Sequence, residues 1–178
     1  MASTKDLALK ELKTLDRQLE QLLGELSTME ESHLLQAPGE GKWSPVQVLQ
    51  HLMLSENGSM QYVRKKTQSG YAGLEPSDWK GKLRSRLVGF YLSLPFKFKA
   101  PAVVDTPQFP EVKSFEEIRE GYLQTRRNLA DMLHALPEEA YNVLAYRHPL
   151  GGRMNLNGML HFFAAHFERH EKQIRRSL

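Results

Sequence analysis

The sequence predicts an all-α fold, a four-helix bundle with one extra shorter helix and long loops. Three observations carry this. Four long segments repeat apolar residues three and four apart with charges between them, the period of a helix buried along one side. Three of those segments open on Ser44, Ser114 and Asn155, residue types whose side chains accept from the unpaired N–H groups of a first helical turn. No stretch alternates apolar and polar residues for long enough to read as a half-buried strand. At 178 residues, 40% hydrophobic and 25% charged, the chain reads as a single domain over residues 1–178 around one sizeable core.

Residues 4–27 place Leu12, Leu15, Leu19, Leu22, Leu23 and Leu26 on one stripe. Residues 28–42 are a connection around Pro38-Gly39-Glu40-Gly41, with His33 an exposed loop residue. Ser44-Pro45-Val46-Gln47 then starts a helix expected to reach about Arg64. Ser44 is its N-cap, Pro45 suits the first helical position, and Gln47 closes a capping box. Leu49, Leu52, Met53, Met60 and Val63 form one stripe of this helix. Val48, His51, Ser55, Ser59 and Tyr62 form an adjoining, more polar one. A helix apolar over so much of its surface belongs at the centre of its bundle. Glu56 falls within the first stripe, where a carboxylate must be paired, protonated or near a metal. Hydrogen bonding within the core or pairing with a basic side chain is the plain expectation; a role as base, or in support of a ligand, is the sharper one.

Residues 67–78 carry Gly70, Gly73 and Pro76 and read as loop. The shorter helix is expected from about Asp78 to Ser93, capped by Ser77 and ended by Pro95. Residues 95–113 hold four prolines, a long excursion of the kind that shapes a pocket. Ser114-Phe115-Glu116-Glu117 opens a helix to about Leu136, with Ile118, Tyr122, Leu129, Met132, Leu133 and Leu136 on one stripe and Thr125 as a small polar interruption. His134, in its last turn, reads as a surface residue. Residues 138–154 are turn-rich and include His148-Pro149-Leu150-Gly151-Gly152. Asn155 caps the last helix, where Leu156, Met159, Leu160, Phe162, Phe163 and Phe167 surround two histidines, and Lys172, Arg175 and Arg176 suit the C-terminus.

The composition narrows the chemistry. The chain has no cysteine, so it has no disulfide, no thiolate ligand and no cysteine nucleophile. Its opening residues lack the apolar core of a signal peptide. Its longest apolar-rich run, Leu87 to Phe96, is about half a membrane span. A soluble cytoplasmic protein with no membrane partner is the expectation. The formal net charge is +3, with basic clusters at Arg64-Lys65-Lys66, at Lys80/Lys82/Arg84/Arg86 and at Lys172/Arg175/Arg176. No nucleic-acid-binding motif accompanies them, so they read as solvated helix faces, with a nucleic-acid surface as the lesser alternative.

His166 and His170 are four apart on a helix, about 40° apart around its axis and about 6 Å along it, a placement from which two imidazoles can share one metal ion. Alone, such a pair fits a surface or a core just as well. Beside Phe162, Phe163 and Phe167, however, two free histidines would each need a hydrogen-bond partner, and one metal satisfies both. His51, 115 positions upstream of His166, lies in the second turn of the central helix and faces inward. Three imidazoles with a position left open form a metal site of the catalytic type, better suited to zinc or nickel than to magnesium or calcium. His161, about 140–180° around the helix from the pair, faces elsewhere. His148 lies in a loop from which it can approach the open position.

These residues also carry a resemblance. Gly41-Lys42-Trp43-Ser44, then His51-Leu52, then His148-Pro149-Leu150-Gly151, then His166-Phe-Glu-Arg-His170-Glu-Lys-Gln-Ile174, resembles the DinB-like superfamily over nearly the whole chain. That group includes metal-dependent hydrolases and thiol-dependent S-transferases. The resemblance implies a metal-binding four-helix bundle with His51, His166 and His170 as ligands, and a homodimer. Gly158 departs from it, standing where the family often has an acidic or polar residue. That bears on the helix start, not on the metal. What the resemblance implies for activity is a divalent-metal-dependent S-transferase using a low-molecular-weight thiol as a small-molecule partner, which suits a chain without cysteine. A hydrolase activating water is the alternative, and a non-catalytic metal-binding stress-response protein is a third.

Overall fold

A computed structural model describes residues 3–77, 114–149 and 151–178. Four long helices dominate: α1 (Thr4–Leu26), α3 (Pro45–Thr67), α4 (Phe115–Ala135) and α6 (Leu156–Arg175). The all-α expectation holds. The expected shorter helix over 78–93, the proline-rich excursion over 95–113 and the basic group at Lys80/Lys82/Arg84/Arg86 lie outside the described residues.

Each long helix starts where a side chain satisfies an N–H that the helix itself cannot. Ser3 and Asp6 form a reciprocal capping box on α1. Ser44 and Gln47 do the same on α3, with Pro45 at the start of the helix, as the sequence predicts. The Ser114 hydroxyl accepts from the Glu117 N–H on α4, and Asn155 accepts from the Gly158 N–H on α6 at 2.9 Å. The glycine at 158 therefore leaves the start of α6 intact.

α1 and α3 each pack against both α4 and α6, so they occupy opposite corners of the bundle. The stripes predicted from spacing are buried: Leu12, Leu15, Leu19, Leu22, Leu23 and Leu26 of α1, and Leu49, Leu52, Met60 and Val63 of α3. Each such leucine contributes roughly 1.5–3 kcal/mol by leaving water. Gly121 of α4 allows a close approach to α3, since a Cβ there would come within 3.1 Å of the Met53 sulfur. Thr125, the polar interruption in the α4 stripe, accepts a hydrogen bond from the Asn57 amide at 3.0 Å and donates to the Gly121 carbonyl at 2.9 Å. A small polar residue there ties the two helices together.

The structure corrects the reading of two connections. Within 28–42 lies a one-turn helix, α2 (Glu31–Leu35), which buries Leu34 in the core and keeps His33 exposed, but on a helix rather than a loop. Its Glu31 carboxylate accepts the Phe115 N–H at 2.8 Å. Within 138–154 lie another one-turn helix, α5 (Glu138–Tyr141), and a two-stranded antiparallel ribbon, β1 (Tyr146–His148) with β2 (Gly152–Met154). Tyr146 pairs with Met154, Arg147 with Arg153 and His148 with Gly152. Gly152 has a positive φ of 71°, which only glycine adopts without strain. Three-residue strands and single turns are too short to leave a periodic signature, which is why spacing does not reveal them.

Candidate metal centre

The α3 cap fixes where His51 lies. Ser44 ends the incoming chain and begins the helix, so His51 falls in the second turn, facing α6, with Trp43 folded back over it at 4.9 Å between ring centres. On α6, His166 and His170 stand one turn apart, their rings 4.6 Å apart at the centroids. The Nε2 atoms of His51 and His166 are 3.1 Å apart. One ligand nitrogen from each of the three histidines lies within 4.8 Å of the others. The fold thus brings together the three residues that the sequence marks as ligands, from opposite ends of the chain.

His51 and His166 are buried and His170 is half-buried. Burial pushes His51 down to about 4 and His170 down to about 3. His166 is held well below the ordinary histidine range, by burial first and then by the charge that a protonated His170, His51 or His148 would bring. All three are neutral imidazoles at neutral pH, the form that offers a lone pair to a metal.

The donor set fits a late divalent ion. Two nitrogens in a tetrahedral shell at about 2.0–2.1 Å from zinc stand about 3.3 Å apart, close to the 3.1 Å seen between His51 and His166. Without an ion, two neutral Nε2 atoms at that distance must share one proton. The third ring is already oriented: His170 Nδ1 donates to Gln173 Oε1 at 2.9 Å, leaving Nε2 as its lone-pair atom.

Aromatic rings close the inner side. Phe162 stacks on His166 with centroids 5.1 Å apart, and Trp43 lies parallel to His170 at 6.5 Å. His148 packs its ring edge against Phe162 at 4.4 Å and accepts the Gly151 N–H at Nδ1. It is buried, its pKa lowered to about 4 by desolvation, and it is near enough for a charge on it to depress His166. His148, expected in a loop, lies instead at the end of β1, one ring removed from His166 through Phe162. His161 and His134 are exposed, as expected; His161 lies 3.7 Å from Glu11 on α1.

Glu56 lies apart from the histidines. Its Oε1 accepts from the Tyr122 hydroxyl at 2.7 Å and from Arg126 Nη2 at 2.8 Å. Arg126 Nε is 2.7 Å from Oε2, but its N–H is poorly aligned with that oxygen, so this contact is an ion pair rather than a good hydrogen bond. Burial pushes the carboxyl up, and Arg126 and Tyr122 pull it back. Of the two plain expectations, the structure contains both: a core hydrogen bond from Tyr122 and an ion pair with Arg126. Two residues beside the histidines received no role from the sequence alone: Trp43, quoted only within a motif, and Gln173. The signal for Gln173 was its position three residues after His170 on the same helix, within reach of that side chain.

Fold and site together define a helical bundle with a histidine cluster compatible with one divalent metal. The model of the DinB superfamily matches residues 14–174, nearly the whole chain, and the chain belongs to that superfamily. No curated protein and no solved structure matches it. Among the described residues no helix is long and apolar enough to cross a membrane.

Proposed function

We propose that this chain is a divalent-metal-dependent enzyme in which His51, His166 and His170 hold zinc or nickel, and that it acts as an S-transferase on a small electrophile with a low-molecular-weight thiol as cosubstrate. The observation that carries this reading is the convergence of three neutral imidazole nitrogens, two of them on buried residues, within 4.8 Å. When bound, such an ion supplies a Lewis-acid position that lowers the pKa of a thiol, or of water in the hydrolase reading. The chain's own part is to hold the ligands neutral, to orient them, and to wall the site with Trp43 and Phe162, whose rings restrict water on the protein side. In the transfer, a carbon–sulfur bond forms as the leaving group departs with the bonding electrons, and the thiol proton is released. Membership of the superfamily supports the metal. The absence of cysteine agrees with a thiol that arrives from outside. A homodimer belongs to this reading through the family resemblance, and a cytoplasmic location through the absence of cysteine; light scattering of the purified protein tests the former.

The test has two stages. Metal content and zinc or nickel affinity are measured for the wild type and for His51→Ala, His166→Ala and His170→Ala. Equal metal content in the wild type and the triple variant would remove the site. The loaded protein is then assayed for conjugation of electrophiles with several cellular thiols, and for ester and amide cleavage. Conjugation supports the transferase. Cleavage without conjugation moves the assignment to the hydrolase, and metal binding with neither activity to a non-catalytic metal protein.

A further inference from the structure

Among the described residues, α6 carries i,i+4 ion pairs at its surface, Lys172 with Glu168 and Arg175 with Glu171. Gln173, itself only partly exposed, holds the ring of His170, and that ring is packed against both other histidines, with centroids 4.8 Å from His51 and 4.6 Å from His166. A glutamine oxygen only accepts, so its 2.9 Å contact to Nδ1 requires the proton on Nδ1. A neutral imidazole carries one proton, and Nε2 is then bare. The same contact fixes the ring about its Cβ–Cγ bond, so the bare nitrogen is held toward the cluster rather than turned out to solvent. An imidazole whose far nitrogen donates to an oxygen is also a more basic ligand.

We propose that Gln173 is a positioning residue that locks His170 as the Nδ1–H tautomer and aims its Nε2 at the point shared with His51 and His166. This rests on the three-histidine metal reading for its purpose, but the tautomer itself is a property of the metal-free protein.

The experiment uses the full-length chain with isotope-labelled histidine nitrogens, as wild type, Gln173→Glu and Gln173→Met, each checked for a native melting curve. Nitrogen NMR of the metal-free protein near neutral pH reports which nitrogen of His170 is protonated. Zinc titration against a competing chelator reports affinity. In the wild type His170 is expected as Nδ1–H. Gln173→Glu keeps that tautomer and binds zinc as tightly or more tightly. Gln173→Met shifts His170 toward Nε2–H and weakens zinc by roughly 10–100-fold, the usual loss when such a partner is removed. A wild-type His170 protonated at Nε2, or a Gln173→Met variant with unchanged tautomer and zinc affinity, overturns the proposal. Should the wild type show the Nδ1–H form, with its loss in Gln173→Met, yet bind no zinc, the positioning role stands and the metal reading fails.

Discussion

Among the described residues, α3 contributes to two buried polar clusters. His51 joins His166 and His170; Glu56, on another side of the same helix, joins Arg126 and Tyr122. The second cluster is closed. A carboxylate meets a guanidinium and a phenol, opposite charges cancel, and Oε1 accepts from both partners. The first cluster holds no opposite charges. His51 and His166 meet through Nε2 at 3.1 Å, and His170 brings a third ring nitrogen within 4.8 Å. Buried groups of opposite charge neutralise each other and hold a fold together, whereas three uncharged imidazoles brought to one point offer a metal one kind of donor atom. That contrast separates Glu56 from the histidines more firmly than residue type does, since glutamate and histidine are both common in catalytic sites.

The contrast can be broken, and the largest effect should come from the closed cluster. Arg126→Met leaves the Glu56 carboxylate buried without its ion partner and should cost about 3–5 kcal/mol. For a chain of this size that is a fall of roughly 10 °C in Tm. Replacing both partners, as Glu56→Leu with Arg126→Met, should recover most of that loss. If the single and double variants melt alike, the pair is not the closed unit described above.

The histidine cluster should respond in the opposite way, through ligand rather than through mutation. Zinc at 100 times its dissociation constant should raise unfolding free energy by about 2.7 kcal/mol. His166→Ala should abolish that gain, while Arg126→Met, in whatever fraction stays folded, should keep it. Calorimetry with and without zinc checks both.

Acid comes next. The folded pKa of His51 is about 4, below its ordinary 6.5. Between those values the unfolded chain binds more protons, so the stability from keeping His51 neutral is complete above the ordinary value and drains away as pH falls. Going from pH 7 to pH 5 should cost the metal-free protein about 2 kcal/mol through His51 alone. Glu56, whose pKa is raised, titrates with the opposite sign, so the measurement is the difference between wild type and His51→Gln in denaturant titrations at the two pH values. Equal pH dependence in the two proteins would show that His51 is not held neutral by burial.

The smallest effect belongs at the edge of the closed cluster. Asp16 reaches Arg126 at 3.4 Å and its side chain is 32% exposed. Asp16→Asn should cost less than about 1 kcal/mol, because water screens a partner at that position. A loss as large as that of Arg126→Met would extend the network to α1.

Much of this was legible along the chain. Ser44, Pro45 and Gln47 announce the start of α3, and the leucine stripes of α1 and α3 mark their buried faces, because capping and burial act within one or two turns. His166 and His170 are neighbours through helical geometry alone. The ribbon at Tyr146–Met154 and the single turns at Glu31–Leu35 and Glu138–Tyr141 were not legible, since elements so short form where the bundle offers them a surface. The partner of Glu56 was not legible either. Arg126 is 70 positions away, and charged residues of that type are spread along the chain.

By itself, then, the sequence determined the helices, their buried faces, and a pair of histidines on one of them, all consequences of local spacing. It also named His51 as the third partner, from its place on a central helix. Only the tertiary structure decided that the three nitrogens meet within 4.8 Å while Glu56 turns away to Arg126. The reason is physical: spacing fixes direction around one helix axis, but the distance between residues 115 positions apart depends on how α3 and α6 pack.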